Sequence, residues 1–500
     1  MLVTTGTASA TWSIVVINLK TREVCVAAAT CIPNTNLRRL LAVVRVGQGA
    51  AAAQSAIDVS GINRMDIFQG FIDELSPQEI LDILAMNSGH ESRQYGIASF
   101  AGAPVTFTGN LAGLAASGVT GSVDDLVYAV QGNVLTDDAV VLAAEAALRN
   151  TVGDLSQRVM AGMEAARALG GDGRCSCDPI NPTQCGAPPA GFVKSAHSSF
   201  IVIARLGDED GVCTLSQGCA NGDYYLRRGF NGGVNDIDPI IELQNRVDIW
   251  RAGLSGIADQ QLSRVQANVQ ELVGDGVSKA FVTVDLIDID GVPLSAGGHT
   301  LNITPIHPGP DPAVLGPVTD LGNGSYEFEL TATTNVGRSA FEIRVDDNAG
   351  SEVLLWPPLG VRVVEATDFH VSHYEVSAAE LSTQVRMTLT HPDGAAAVGR
   401  PYVVLASLSG SSPGTALGGV TVPLNQDRLL HLTATGMAAP PVFEDFVGAF
   451  GAEGRASAKI FLGTGLGSAL IGQRVDLAAL YQDGQGAMFV SEADFFRIVP

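Results

Sequence analysis

The sequence predicts an α+β protein: two stacked β-sheets with a helical layer on each outer face, then two all-β sandwiches. Three observations carry this reading. The 500 residues exceed what one hydrophobic core serves, so several domains are expected. Over the first half, apolar periodicity runs in the order strands, two helices, strands, two helices, strand, which suits facing sheets between helical layers. From about residue 275 the texture turns to short alternating strands separated by Gly and Pro turns.

Taken in order, Thr11-Trp12-Ser13-Ile14-Val15-Val16-Ile17-Asn18 is a short, largely β-branched strand, and a second covers 23–31 after a turn around Lys20-Thr21-Arg22. A third apolar run, Leu40 to Val46, leads into Gly47-Gln48-Gly49-Ala50-Ala51-Ala52-Ala53-Gln54, where small side chains let another backbone pass close by. Ile62, Met65, Phe68, Phe71 and Ile72 recur at helical spacing. Ser76, Pro77 and Glu79 supply an N-cap, a first-turn proline and a capping box for the next helix.

Strands resume at Arg93–Phe100 and Pro104–Thr108, and Val127–Val130 runs into Gln131-Gly132-Asn133-Val134-Leu135. Helices are predicted over about 138–149 and about 155–169, the second stopped by Gly170-Gly171. A Pro/Gly-rich insertion over roughly 174–191 precedes the strand Ser198–Leu206. The layered domain therefore spans 11–255. Leu262, Val265, Val269 and Leu272 predict a linker helix over 256–274. One sandwich follows over 275–366, with strands such as Ala280–Ile289 and Ser339–Val345, and a second over 367–500, with Tyr402–Ser407, Leu429–Thr435 and Ala456–Phe461.

The charge excludes some functions. With 29 basic against 52 acidic residues and only four lysines, the net charge is −23, spread along the chain. Nucleic-acid binding needs a basic surface, and anionic lipid attracts one, so neither partner is expected. No stretch reaches the roughly 18 uncharged apolar residues of a membrane span, so no membrane insertion is expected. Residues 1–10 read as the tail of a secretory signal ending in Ala8-Ser9-Ala10, with Met1 an internal start and the precursor extending upstream. The expected location is secreted or on a bacterial cell surface.

The cysteines agree with an oxidising compartment. Cys175, Cys177 and Cys185 crowd the insertion and Cys213 and Cys219 flank a short loop, which predicts local disulfides. Cys25 and Cys31 lie on one strand, roughly 20 Å apart if extended, and should not pair with each other. No metal site is expected, because Cys175-x-Cys177 has no second pair at zinc spacing.

Thr11 has two readings. It is either the ragged start of an edge strand or a nucleophile exposed by cleavage after Ala10. A free N-terminal Thr carries hydroxyl and base in one residue, since its α-amine takes the hydroxyl proton. Further segments favour the second. Thr11-Trp12-Ser13-Ile14-Val15, Arg45-Val46-Gly47-Gln48-Gly49-Ala50 ending in Gln54, Arg93-Gln94, Thr108-Gly109, Gln131-Gly132-Asn133-Val134-Leu135, Gly170-Gly171-Asp172 and Asn235 to Leu243 occur in that order. In these the first 255 residues resemble the Ntn-hydrolase-like family called domain of unknown function 1028.

The resemblance implies an αββα sandwich of the N-terminal-nucleophile type, which cleaves amide bonds. The insertion over 174–191 departs from the family pattern. Asp320-Leu321-Gly322-Asn323-Gly324-Ser325-Tyr326 resembles filamin- or invasin-type immunoglobulin-like repeats, and Gly399-Arg400-Pro401-Tyr402-Val403-Val404-Leu405 is similar to C-terminal β domains of secreted bacterial proteins.

The candidate catalytic set is Thr11, Ser13, Arg45, Thr108, Gly109, Gln131, Asn133 and Asp172. Thr11 would attack and its amine shuttle the proton. Gly109, Gln131 or Asn133 would donate to the oxyanion, Arg45 would keep the amine neutral, and Asp172 would orient amine or hydroxyl. Each residue has a plain alternative as a turn, strand-end cap or loop residue. No HExxH or P-loop motif occurs, no cofactor is called for, and Asp288-Ile289-Asp290-Gly291 reads as a β-turn. The expected function is an exported Ntn-type amidohydrolase acting on a small amide or peptide. The rival is a catalytically silent structural or adhesive surface protein whose partners are other copies of itself; a homo-oligomer is compatible with either.

Overall fold

The computed structural model describes residues 10–306, 311–350, 352–364, 369–372, 375–377, 384–462 and 470–499. Nine of the ten residues read as a leader lie outside these.

The first part of the chain is a mixed α/β domain. Its elements are β1 Thr11–Asn18, β2 Val24–Thr30, α1 Leu37–Leu41, β3 Ala42–Arg45, β4 Gly49–Ser55, α2 Ile62–Ile72, α3 Pro77–Ala85, β5 Arg93–Ser99, β6 Gly102–Thr108, β7 Ser117–Val123 and β8 Leu126–Asn133. After these come α4 Ala139–Asn150, α5 Leu155–Ala168, α6 Gly173–Ser176, β9 Ser198–Ala204, β10 Leu226–Asn231 and α7 Pro239–Ala252. One sheet has the order β10-β9-β2-β1-β8-β7 and the other β3-β4-β5-β6, with every pairing antiparallel.

Strand alternation decides what each face of β1 touches. Trp12, Ile14 and Val16 enter a cluster with Val140, Ala144, Val159, Met163 and Leu243 of α4, α5 and α7. Val15 and Ile17 face the other way, packing with Ala42, Val44, Ala50 and Ala52 of the second sheet. That sheet's outer face, with Val43, Ala51 and Ile97, packs on Ile67 and Phe71 of α2 and Ile80 and Leu84 of α3. Because both sheets are covered on both faces, their central strands read as continuous apolar runs. Each fully buried Ile or Val contributes roughly 1.5–3 kcal/mol. Thr11 and Ser13 share the inward face of Val15, so the head of β1 delivers polar side chains between the sheets.

The capping box at α3 forms as predicted: Ser76 accepts from Glu79 N and the Glu79 carboxylate accepts from Ser76 N. The run Leu40–Val46 divides, its first residues closing α1, where Asn36 caps the helix, and the rest forming β3. Residues 239–252 form a helix that the acidic segment hides: Asp238 caps it and Pro239 opens it.

The predicted linker helix over 256–274 is absent. Arg264–Ala267 instead pairs with Lys279–Asp285, and Glu271–Val273 pairs in parallel with Leu359–Val364. Edge pairing to a sandwich with unfilled positions outweighs a weak helical spacing, and Leu272 is buried there. The predicted strand Leu429–Thr435 is also corrected to a helix, Arg428–Ala434, whose cap Asp427 accepts from Leu430 N at 2.7 Å.

Downstream, two clusters of buried side chains each lie between mainly antiparallel sheets, one drawing on Ala258 to Val363 and the other on Phe369 to Ile498. Asp288 makes the turn expected of it, accepting from Asp290 N and Val292 N. The first sandwich is fixed to the α/β domain by a buried cation: Arg205, following β9, ion-pairs with Glu23 at 2.8 Å and Asp259 at 2.7 Å and stacks on Tyr225. Gln260 adds a hydrogen bond to the Leu206 carbonyl.

Three disulfides form: Cys31–Cys175, Cys177–Cys185 and Cys213–Cys219, with Cys25 buried and free. The first corrects the expectation of purely local pairing. It ties the end of β2 to the insertion, 144 residues away.

Candidate active site

The Thr11 hydroxyl donates to the carbonyl of Ala10 at 2.5 Å, across the very bond whose scission would free it. Two further donors converge on that oxygen: Thr30 Oγ1 at 2.6 Å and Arg174 Nη2 at 2.8 Å. β1 and β2 are antiparallel neighbours, with Trp12 opposite Ala29, and this register brings Thr30 beside Thr11. Their hydroxyls lie 3.3 Å apart. Thr11 is 2% exposed, so it is closed to solvent while Ala10 is in place.

Arg174 is set by its neighbours. The buried Asp172 carboxylate accepts from Arg174 Nη2 at 2.9 Å and Nε at 3.2 Å, and also from Cys31 N at 2.6 Å. The Cys31–Cys175 disulfide joins the residue after Thr30 to the residue after Arg174. Asp172 thus reaches the Ala10 carbonyl through Arg174; the expected direct contact with the Thr11 amine or hydroxyl is not present. Gly171 permits this loop, with φ +56° and a Cβ that would sit 2.5 Å from the Trp12 ring.

Behind Thr11, side-chain amides form a buried network. Ser13 Oγ donates to Gln54 Oε1 at 2.7 Å and accepts from Gln131 Nε2 at 2.5 Å. Gln54 Nε2 donates to the Thr11 carbonyl at 3.0 Å and to Gln94 Oε1 at 2.8 Å. Gln94 Nε2 in turn donates to Thr108 Oγ1 at 2.9 Å and to the Gly132 carbonyl. Asn133 donates to Ser55 Oγ and the Ala112 carbonyl. Gln131 presses on Gly96, where any Cβ would lie 2.0 Å from its Oε1. A network buried this deeply fixes the head of β1 in position.

The structure thus brings Thr11, Ser13, Thr108, Gln131, Asn133 and Asp172 into one region. Two candidates fall outside their expected roles. Arg45 binds Asp210 at 2.6 Å and Gln48 at 2.9 Å. It pairs with Gly49, five residues from Gln54 along β4, roughly 17 Å from Thr11's end of the sheet. The Gly109 N–H is taken by the Arg93 carbonyl at 3.0 Å and is not a free oxyanion donor.

Thr30, Arg174, Gln54 and Gln94 were not among the candidates. Gln54 and Gln94 sit in segments of the family pattern, whereas Arg174 opens the departing insertion. Cys31, Cys175 and His197 bring potential metal-ligand atoms within 4.8 Å of one another, but the two sulfurs are bonded to each other and are not thiolates.

Residues 11–177 match DUF1028, a family of unknown function. The DUF1028 segment holds every residue of the Thr11 cluster. Residues 259–353 match invasin domain 3. Among curated proteins none matches the chain. A DUF1028 protein from Silicibacter pomeroyi is 17% identical over 48% of this chain and 86% of its own, with a TM-score of 0.36. Invasin, a bacterial integrin-binding protein, is 11% identical over 82% of this chain and 56% of its own, TM-score 0.20. FdeC, an Escherichia coli adhesin, is 9% identical over 98% and 97%, TM-score 0.20.

Proposed function

We propose that this is an extracellular or cell-surface bacterial protein of adhesin-like build, in which immunoglobulin-like modules carry a DUF1028 domain. The invasin domain 3 match directly after the DUF1028 match is the observation that supports it most. Three disulfides suit an oxidising compartment. No helix among the described residues is long and apolar enough to cross a membrane. The test is protease shaving of intact bacteria that express the full precursor. Release of fragments of this chain, with its thiols oxidised, is expected; a protease-protected chain with free thiols would overturn the proposal.

A second reading is favoured by the three donors on the Ala10 carbonyl: an amidohydrolase latent until residues 1–10 are removed. Facing sheets with helices outside them are compatible with the Ntn-type αββα sandwich. Once Thr11 is the N-terminus, its amine would take the proton as its hydroxyl attacks an amide carbonyl, and would hand it to the departing amine as the C–N bond breaks and the acyl ester forms. Water, activated by the same amine, would then release the acyl group. Thr30 and Arg174, freed from Ala10, would face the new carbonyl as hydrogen-bond donors. Intact-mass measurement of native protein tests this. Chains starting at Thr11 support it, and chains retaining Ala10 leave the domain a scaffold.

A further inference from the structure

Cys31, Cys175 and His197 meet where three segments of chain are sewn together by hydrogen bonds separate from the disulfide. His197 N donates to the Thr30 carbonyl at 2.8 Å, and Asp172 N donates to the Ser195 carbonyl at 3.1 Å. Cys31 N donates to the Asp172 carboxylate at 2.6 Å. These bonds hold the end of β2, the head of the insertion and the run before β9 in one place. One potential ligand atom from each of the three side chains lies within 4.8 Å of the other two. Neighbouring ligand atoms around a tetrahedral zinc stand roughly 3.5–3.8 Å apart, a difference that side-chain rotation closes.

Two further features suit a divalent ion there. His197 Nδ1 is buried and has no hydrogen-bond partner among the described residues, a cost that a ligand would relieve. Cys175 and His197 also line a cleft of about 620 Å³, through which an ion can enter. Arg174 and Lys194 in that lining are offset by Asp236 and Asp238. While the two sulfurs are joined they offer no thiolate. A dithiol, in becoming a disulfide itself, supplies two electrons and two protons and leaves two thiols. A phosphine does the same with the oxygen and protons of water, ending as its oxide. The ion then displaces both thiol protons as it binds.

We propose that the reduced chain binds one zinc-class divalent ion through Cys31 Sγ, Cys175 Sγ and an imidazole nitrogen of His197, with water from the cleft in the fourth position. Two thiolates and an imidazole are donors that zinc takes and that magnesium and calcium do not. The clasp between β2 and the insertion is thus closed in either redox state, by a disulfide when oxidised and by a metal when reduced. The site is independent of whether Thr11 is ever freed. It hides in the sequence because Cys31 and Cys175 are 144 positions apart.

The test is titration of the full chain with Co²⁺, without oxygen, after reduction by a phosphine. One equivalent is expected to give thiolate-to-cobalt charge-transfer absorption that added Zn²⁺ abolishes, and the oxidised chain to give none. C177S/C185S should keep this absorption and C31S/C175S should lose it. His197→Gln should bind the ion more than about tenfold more weakly. That variant leaves all three disulfides able to form, so it carries the test should C31S/C175S fail to fold. Absorption missing from the reduced wild type, lost in C177S/C185S, retained in C31S/C175S, or unweakened in His197→Gln would overturn the proposal.

Discussion

Arg174 Nη2 lies 2.8 Å from the carbonyl oxygen of Ala10, a residue 164 positions earlier in the chain. Charge on that oxygen would be met by a guanidinium already in place. Arg174→Ala is therefore expected to slow any acyl transfer at the Ala10–Thr11 bond by about 10²–10³-fold, with Arg174→Lys retaining part of the rate. The fraction of chains starting at Thr11, followed by intact mass over time, checks it. Equal fractions in wild type and variant would remove Arg174 from the chemistry.

The Cys31–Cys175 crosslink should dominate the redox contribution to stability. It closes a loop of 144 residues, whereas Cys213–Cys219 closes one of 6. Restricting the unfolded chain counts for more in the longer loop, so C31S/C175S is expected to cost about 2–5 kcal/mol. C213S/C219S should cost less. Thermal unfolding of the two double variants, read on the α/β domain's transition, orders them.

Stability of the C-terminal half should fall on the alkaline side. His370 Nε2 lies 3.3 Å from Glu271 and its Nδ1 3.4 Å from Asp494. Burial works against the charged ring, but the two carboxylates outweigh it and raise the His370 pKa to about 9. A raised pKa means the folded form holds its proton more tightly than the unfolded chain. The contribution is complete below the unfolded value, about 6.5, and is lost as pH rises through about 9. A melting-temperature profile from pH 6 to 10 should decline across that window, and His370→Gln should flatten it.

Removing Arg205 should be costly, because it strands Glu23 and Asp259, both of them 4% exposed at the side chain. Arg205→Ala is expected to lose about 3–5 kcal/mol, more than deletion of an exposed pair such as Lys279–Glu329. Small-angle scattering should also show a wider spread of domain orientations. An unchanged profile and unchanged stability would deny Arg205 a part in the junction.

Much of the architecture was legible in local chemistry. The strand from Thr11, the capping box at Ser76–Glu79 and the helices α4 and α5 depend on short-range patterns, and they stand within a residue or so of where the patterns placed them. Residues 256–274 went wrong because Leu262, Val265, Val269 and Leu272 satisfy a helical spacing, while the choice was made by a sheet edge elsewhere in the chain. Leu429–Thr435 went wrong because the cap at Asp427 lies outside the apolar run.

The cluster around Thr11 divides in the same way. Ser13, Gln131 and Asn133 follow from the register of β1 with β8, where Ser13 lies opposite Gln131 and Thr11 opposite Asn133. Arg174 and Thr30 do not, since one sits in an insertion and the other is a strand-end threonine. Only the disulfide and Asp172 bring them to the same oxygen.

The Arg205 junction has a mechanical consequence. If the C-terminal modules hold the protein to a surface while something tugs on the α/β domain, load crosses by two routes: the covalent path through α7, and the side-chain clasp from Asp259 through Arg205 to Glu23. The second route ends at β9 and at the residue preceding β2, adjoining strands of the sheet that contains Thr11. Tension on the tether would therefore be felt within that sheet before any of its strands had to peel away.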